Sequence, residues 1–118
     1  MSGTPFRSRQ NPPLPERWDE LFSAVLSDAL DAIGITNQAM APGIRPLDDT
    51  LKMCGRARTG MYMEVCYLEE GVNPYELEIA IVDDLKPGDI AVFACGGSPR
   101  IAPWGSLLST ATVARGAA

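Results

Sequence analysis

Apolar residues recur from Trp18 through Leu21, Phe22, Val25, Leu26, Ala29 and Leu30 to Ile33, in alternating steps of three and one. That spacing predicts one continuous helical face beginning after Pro15. Gly34 follows as a left-handed stop. Asp28 and Asp31 interrupt the apolar set and project to the other side. They read as a solvated face or a helix-packing rim, with paired carboxylates for a metal as the sharper alternative.

Beyond this helix the period changes. "MAPGIRPLDD" predicts a loop and a short strand, punctuated by Gly43 and Pro46. "LKMCGRARTGMYMEVCYL" alternates loosely and predicts one long, bent strand or two strands broken near Gly60. Met53, Met61 and Met63 read as core filling. In "NPYELEIAIVDD", Asn73 can cap a helix whose first position suits Pro74, ending at about Asp83 or Asp84. "KPGD" is a turn, and "IAVFAC" is an apolar run of strand length, hence a buried strand. A glycine loop, "GGSPR", then leads to a final helix starting near Trp104–Gly105 and stopping at Gly116. Helix, strand, glycine loop, helix is an α/β grammar.

At 118 residues the chain has the size of one domain. Residues 1–14 carry prolines, polar residues and arginines without periodicity and are expected to form a flexible arm ahead of a domain over 15–118. Ten basic residues against fifteen acidic ones give a net charge of −5, which argues against a broad footprint for nucleic acid or an anionic membrane. No stretch is long and apolar enough to span a bilayer, and the start lacks a secretory core, so a cytoplasmic location is expected. Cys54, Cys66 and Cys95 are an odd set without C-x-x-C spacing and read as buried reduced thiols.

The absence of histidine restricts chemistry most. It removes Ser-His-Asp and Cys-His catalysis and leaves acid–base work to carboxylates, tyrosine, lysine or metal-bound water. In an α/β fold, ligands settle beyond the carboxyl ends of strands, where helix starts present free amides. Here that place is the loop Gly96, Gly97, Ser98, Arg100 and the helix start after it, which together could offer amides, a hydroxyl and a guanidinium to an anion. A plain tight connection is the competing reading. The loop is neither a Walker loop nor a dinucleotide fingerprint.

Five segments in order, "LSDALDAIGI", "GIRPL", "CGRART", "LKPGDIAVFACGG" and "WGSLLSTATVARGAA", resemble the RraA-like family. That family includes the regulator of ribonuclease activity A, 4-hydroxy-4-methyl-2-oxoglutarate aldolases and demethylmenaquinone methyltransferase-like proteins. The resemblance implies a layered β/β/α fold of the swivelling-domain kind, assembled as trimers or hexamers. It also implies aldol cleavage or oxaloacetate decarboxylation, in which magnesium or manganese stabilises a pyruvate-like enolate. Gly105, Ser106, Leu107 and Leu108 match the family's amide-donating turn for the carboxylate of a small oxo-acid such as pyruvate or oxaloacetate.

Two departures qualify that expectation. Aldolases of the family carry a carboxylate where this chain has Ser106. Their G-x-x-R-D motif, which supplies a substrate arginine and a metal aspartate, would lie beyond Ala118. The chain is therefore expected to be the amino-terminal part of a longer protein, without metal ligands or activity of its own. The alternative is a non-catalytic protein of the ribonuclease-regulator type.

Overall fold

The computed structural model describes residues 11–118. It separates into two compact units, one of residues 14–54 and one of residues 55–118 with 11–13. Of the expected amino-terminal arm, residues 1–10 lie outside the described residues, and 11–14 have no regular structure.

In the 14–54 unit, the expected single helix is two pieces. A 3-10 turn spans Trp18–Glu20, Leu21 and Phe22 are extended, and helix α1 spans Ser23–Ala32. The break falls inside the apolar stripe, so Trp18 and Leu21 do not share a helical face with Val25 and Leu26. α1 ends as Gly34 predicts. Gly34 has φ 85°, its N–H donates to Asp31 O at 3.0 Å, and Ile35 N–H reaches back to Leu30 O at 2.9 Å. These are the two bonds of a Schellman stop. Asp31 accepts from Gln38 Nε2 at 2.8 Å, the same amide that donates to Ser27 Oγ at 3.0 Å. Asp31 therefore ties down the segment after the helix. No strand forms between 41 and 50; Asp48 instead accepts from Thr50 N–H and Oγ1 at 2.9 and 2.6 Å.

The second unit is a β-α-β arrangement followed by a helix. Strand β1 is Arg56–Met61, helix α2 Glu76–Asp83, strand β2 Asp89–Ala94 and helix α3 Ser106–Ala114. The strands pair in parallel from Arg56↔Asp89 to Met61↔Ala94. Parallel pairing requires a crossover, which α2 supplies. α2 packs on β1 and α3, burying Ile81, Val82 and the following Leu85. Its entry differs in detail from expectation. Asn73 Oδ1 accepts from Tyr75 N–H at 3.0 Å, which closes the turn before the helix, while Tyr75 occupies the cap position. Glu76 and Glu78 place negative charge in the first turn, favourable to the helix dipole.

Gly60 lies inside β1, opposite Phe93, and does not divide a strand. A Cβ there would stand 2.5 Å from Phe93 Cε1 and 2.9 Å from Ile81 Cδ1. The glycine is present because ring and helix come too close for any side chain. Gly116 stops α3 as expected. With φ 72°, it donates to Val113 O at 2.9 Å, and Ala117 N–H reaches Thr112 O at 3.2 Å. The chain then turns along β2. Ala118 N–H donates to Asp89 O at 2.9 Å, and Ala118 O accepts from Ala91 N–H at 3.0 Å. These are β2 groups of odd-numbered residues, whereas Gly88 O and Ala94 O accept from Arg56 and Tyr62 of the β1 segment. Alternation along a strand thus places 116–118 on the β2 edge opposite β1.

Three expectations about burial are corrected. "IAVFAC" is not fully buried: Asp89 is covered, Val92 and Ala94 are exposed, and the rest is half-buried. The sheet has two strands among the described residues, and α2 packs on β1. Met53, Met61 and Met63 are 67%, 82% and 75% exposed, so they do not fill a core. Cys66 is exposed and Cys54 and Cys95 are half-buried, so none is a buried thiol. No helix among the described residues is long and apolar enough to cross a membrane.

Candidate functional site

The two ends of the parallel sheet use their polar groups differently. At the amino end, "KPGD" builds a closed ionic turn around Asp89, which is 1% exposed. Asp89 Oδ2 accepts from Lys86 N–H at 2.8 Å, and Oδ1 accepts from Arg56 Nε at 3.2 Å. Arg56 also donates to Pro87 O at 2.5 Å and to Pro12 O at 3.2 Å. Two residues along β1, Arg58 pairs with Asp84 at the end of α2. From α3, Arg115 pairs with Asp83 and donates to Ala111 O at 3.0 Å. A buried charge persists only when paired and hydrogen-bonded, so the Asp89 cluster holds the framework, the half-buried Arg58–Asp84 pair supports it, and the more exposed Arg115–Asp83 pair adds little.

At the carboxyl end, β2 gives way to Gly96 and Gly97, with φ 59° and 77°. Both lie in the left-handed region, which makes the reversal possible. The loop does not hold its hydroxyl and guanidinium in reserve for an anion. Ser98 Oγ donates to Glu64, Arg100 Nη1 lies 3.5 Å from Glu64 Oε2, and Arg100 N–H donates to Ser98 Oγ at 3.1 Å. Glu64, a carboxylate of the chain itself, occupies the position expected for a ligand. The loop is a self-satisfied connection.

The following turn is different. Gly105 is the N-cap of α3, with an extended backbone and no side-chain cap. The first α-helical bond of the new helix is Ser109 N–H to Gly105 O at 3.1 Å. The amides of Ser106, Leu107 and Leu108 precede it and have no intrahelical acceptor. Ser106 is exposed, Leu107 is 85% exposed and Leu108 is half-buried. Gly105 has no neighbour within 4 Å of the place a Cβ would take, and its φ of −152° suits any residue. Neither packing nor backbone strain accounts for a glycine here; its effect is open access to the amides.

An aromatic stack fixes this turn from behind. Phe93 of β2 lies between Tyr62 and Trp104, with ring centroids 5.3 and 5.4 Å away. Trp104 Nε1–H donates to Ser109 Oγ at 2.9 Å, which joins the residue before the cap to the first turn of α3. The Tyr62 hydroxyl bonds Glu78 of α2 and sits 3.2 Å from Pro103 O. Burial and the neighbouring Glu78 carboxylate raise the Tyr62 phenol pKa well above the tyrosine range, so it is a neutral donor.

The structure thus presents Gly105, Ser106, Leu107 and Leu108 as one open turn and removes Ser98 and Arg100 from it. Sequence reasoning passed over Tyr62, Glu64, Glu78 and the supporting role of Trp104. A signal was available: the alternation of Arg56, Arg58 and Gly60 continues in step to Tyr62 and Glu64. A divalent cation does not fit the residues described, because no three acidic or thiol side chains converge among them and Ser106 brings a neutral hydroxyl.

No curated protein and no solved structure matches this chain. The family model described as RraA-like, Aldolase/RraA, matches residues 23–118. That span takes in both strands, all three α-helices and the open turn, and the chain belongs to the RraA-like family.

Proposed function

We propose that the 105–108 turn binds the carboxylate of a small oxo-acid such as pyruvate or oxaloacetate, and that the protein to which this chain corresponds is a lyase of the aldolase or decarboxylase kind. The observation that carries this reading is the uncapped, unobstructed start of α3 at Gly105. Free amides and the positive end of a helix dipole attract a carboxylate without any side chain. A lyase of this family would use magnesium or manganese to stabilise the enolate. The described residues do not form that metal site, so they account for binding and orientation only. Ser106 favours a second reading, a non-catalytic regulatory protein, since serine preserves the helix start while withholding the carboxylate.

The family relationship also supports a layered β/β/α arrangement around β1 and β2 and assembly as a trimer or hexamer. Leu107 and Val113 on α3, 85% and 71% exposed, are apolar surface suited to such contacts.

Titration of the purified chain with oxalate or pyruvate, followed by amide NMR, tests the site. Shifts are expected at 105–108, with a Kd in the millimolar range, because a helix start contributes only about 0.3–1 kcal/mol to a nearby charge. Shifts elsewhere that leave this turn untouched would overturn the assignment. The same chain should release no pyruvate from oxo-acids with magnesium or manganese present. Turnover that a chelator abolishes would show that a metal site exists after all.

A further inference from the structure

The 14–54 unit holds an open groove of about 550 Å³ that plays no part in the oxo-acid reading, and several of its lining side chains, Met40 and Leu51 among them, are more than half exposed. Its walls are mostly apolar, built by residues such as Trp18, Phe22, Leu26 and Leu51. Two cations, Arg45 and Lys52, complete the lining, which contains no carboxylate. In a chain of net charge −5, an apolar groove with only positive charge in its wall is a local reversal of sign.

Both cations retain donors. Lys52 Nζ donates to Asp19 O at 2.9 Å and lies 3.5 Å from Leu21 O, which anchors the ammonium beside the end of the 3-10 turn. A lysine has three donors, so at least one remains. Arg45 bonds Pro42 O through Nε at 3.2 Å, and its terminal nitrogens have no partner among the described residues. Two acids of this unit are engaged elsewhere, Glu20 with Arg17 and Asp48 in its own turn on Thr50, while Glu16, Asp19 and Asp49 are not among the lining residues. The break at Leu21–Phe22 falls in the wall of the groove, which Leu21, Phe22 and Ser23 line.

We propose that this groove binds an amphiphilic carboxylate, an unbranched alkyl chain in the apolar lining with its anionic head on Arg45 and Lys52. The volume lies in the range of pockets that take small organic ligands, and a few polar groups in an apolar wall are what fixes orientation in such sites. Arg45 supplies a planar fork suited to a carboxylate, and Lys52 a point charge. The alkyl chain provides most of the driving force and the two cations select the sign of the head group.

Titration of the full chain with dodecanoate and, separately, with dodecylammonium decides the matter, both below their micelle concentrations. The readouts are the Trp18 indole N–H and the amides of Leu21 to Leu26. Dodecanoate should shift these resonances saturably and bind about tenfold or more tightly than dodecylammonium, the difference expected from a charge-assisted hydrogen bond. Arg45→Gln, a change at an exposed side chain, should weaken dodecanoate about tenfold and leave dodecylammonium unchanged. Lys52→Gln should act in the same direction, and unchanged Gly34 and Ile35 amides, which close α1 in the same unit away from the lining, show that the variant's unit is folded. Equal affinity for the two head groups, or no effect of Arg45→Gln, would overturn the proposal. So would shifts of the same residues on raising protein concentration alone, since a second copy of the chain would then be the occupant. Oxalate at the α3 start is a separate event, so either site can fail without the other.

Discussion

The amino end of the β1–β2 sheet and its carboxyl end put their polar groups to opposite uses. Around Asp89 the polar groups serve one another: a turn amide and an arginine from β1 bond the carboxylate, and the same arginine reaches the Pro87 carbonyl. At Gly105 the first amides of α3 lack intrahelical acceptors and a side-chain cap, and Phe93 stacks between Tyr62 and Trp104 beside the turn. The lesson is that around this sheet charge marks the scaffold, whereas the candidate oxo-acid site is made of uncharged backbone. A search for function among the acidic and basic residues alone would settle on Asp89, Arg56 and Arg58, which hold the fold.

The sharpest way to break this contrast is Asp89→Ala. It leaves Arg56 and the Lys86 amide without their buried acceptor, and loss of one member of a buried pair costs about 3–5 kcal/mol. Urea unfolding should register that loss; a midpoint close to that of the parent would mean that the amino end is not held by charge. Gly60→Ala comes next. Its new methyl meets the Phe93 ring and Ile81, so overpacking should cost about 1–3 kcal/mol and disturb the Phe93–Trp104 stack. The check is whether the Trp104 indole and the 105–108 amides move together, as they must if the stack supports the turn.

Tyr62→Phe probes the same support more gently, at about 1 kcal/mol for a lost hydrogen bond. It also makes a pH prediction. The folded-state pKa of Tyr62 is raised, so the folded protein keeps its proton while the unfolded chain releases it above the ordinary tyrosine value of about 10. Stability from this source is fully present below that pH and declines as pH rises further. The alkaline decline should be shallower in Tyr62→Phe, measured by denaturation across that range; an identical profile would exclude Tyr62 as its origin. Smallest is Ser106→Glu. A carboxylate in the first turn should stabilise α3 by only about 0.3–1 kcal/mol, while weakening oxalate binding by occupying the amides itself. Thermal unfolding and the oxalate titration together check both halves.

Helix stops were the most legible features in the chain, because Gly34 and Gly116 act through backbone conformation alone and need no tertiary partner. The strand–loop–helix passage from Asp89 to Ala114 was also readable, since an apolar run, a glycine pair and a helical period follow in order. What escaped were features set by contacts distant in sequence. The break at Leu21–Phe22 overrides an unbroken helical pattern, and periodicity carries no sign of it. Gly60 resembled a strand break because the sequence does not reveal that Phe93 will lie across it. Ser98 and Arg100 looked available because Glu64, more than thirty positions earlier, could not be placed beside them. The start of α3 near Trp104–Gly105 was legible from the helical period alone, whereas its singling out as the turn 105–108 came from the resemblance to the RraA-like family.

The short seam between 116–118 and the outer edge of β2 gives the two termini of α3 different lifetimes. Its last turn runs through Gly116 into Ala118, which is bonded to Asp89 O and Ala91 N–H, so the chain after the helix is tied to the sheet edge. Its first turn is held by side-chain stacking, and its amides can meet solvent without any unfolding. Deuterium should therefore enter α3 from the Gly105 end, and a bound carboxylate should slow exchange there while leaving Ala118 unchanged. A helix whose carboxyl end runs into the sheet edge and whose amino end is uncapped is a directional element, with its free donors gathered at the Gly105 end.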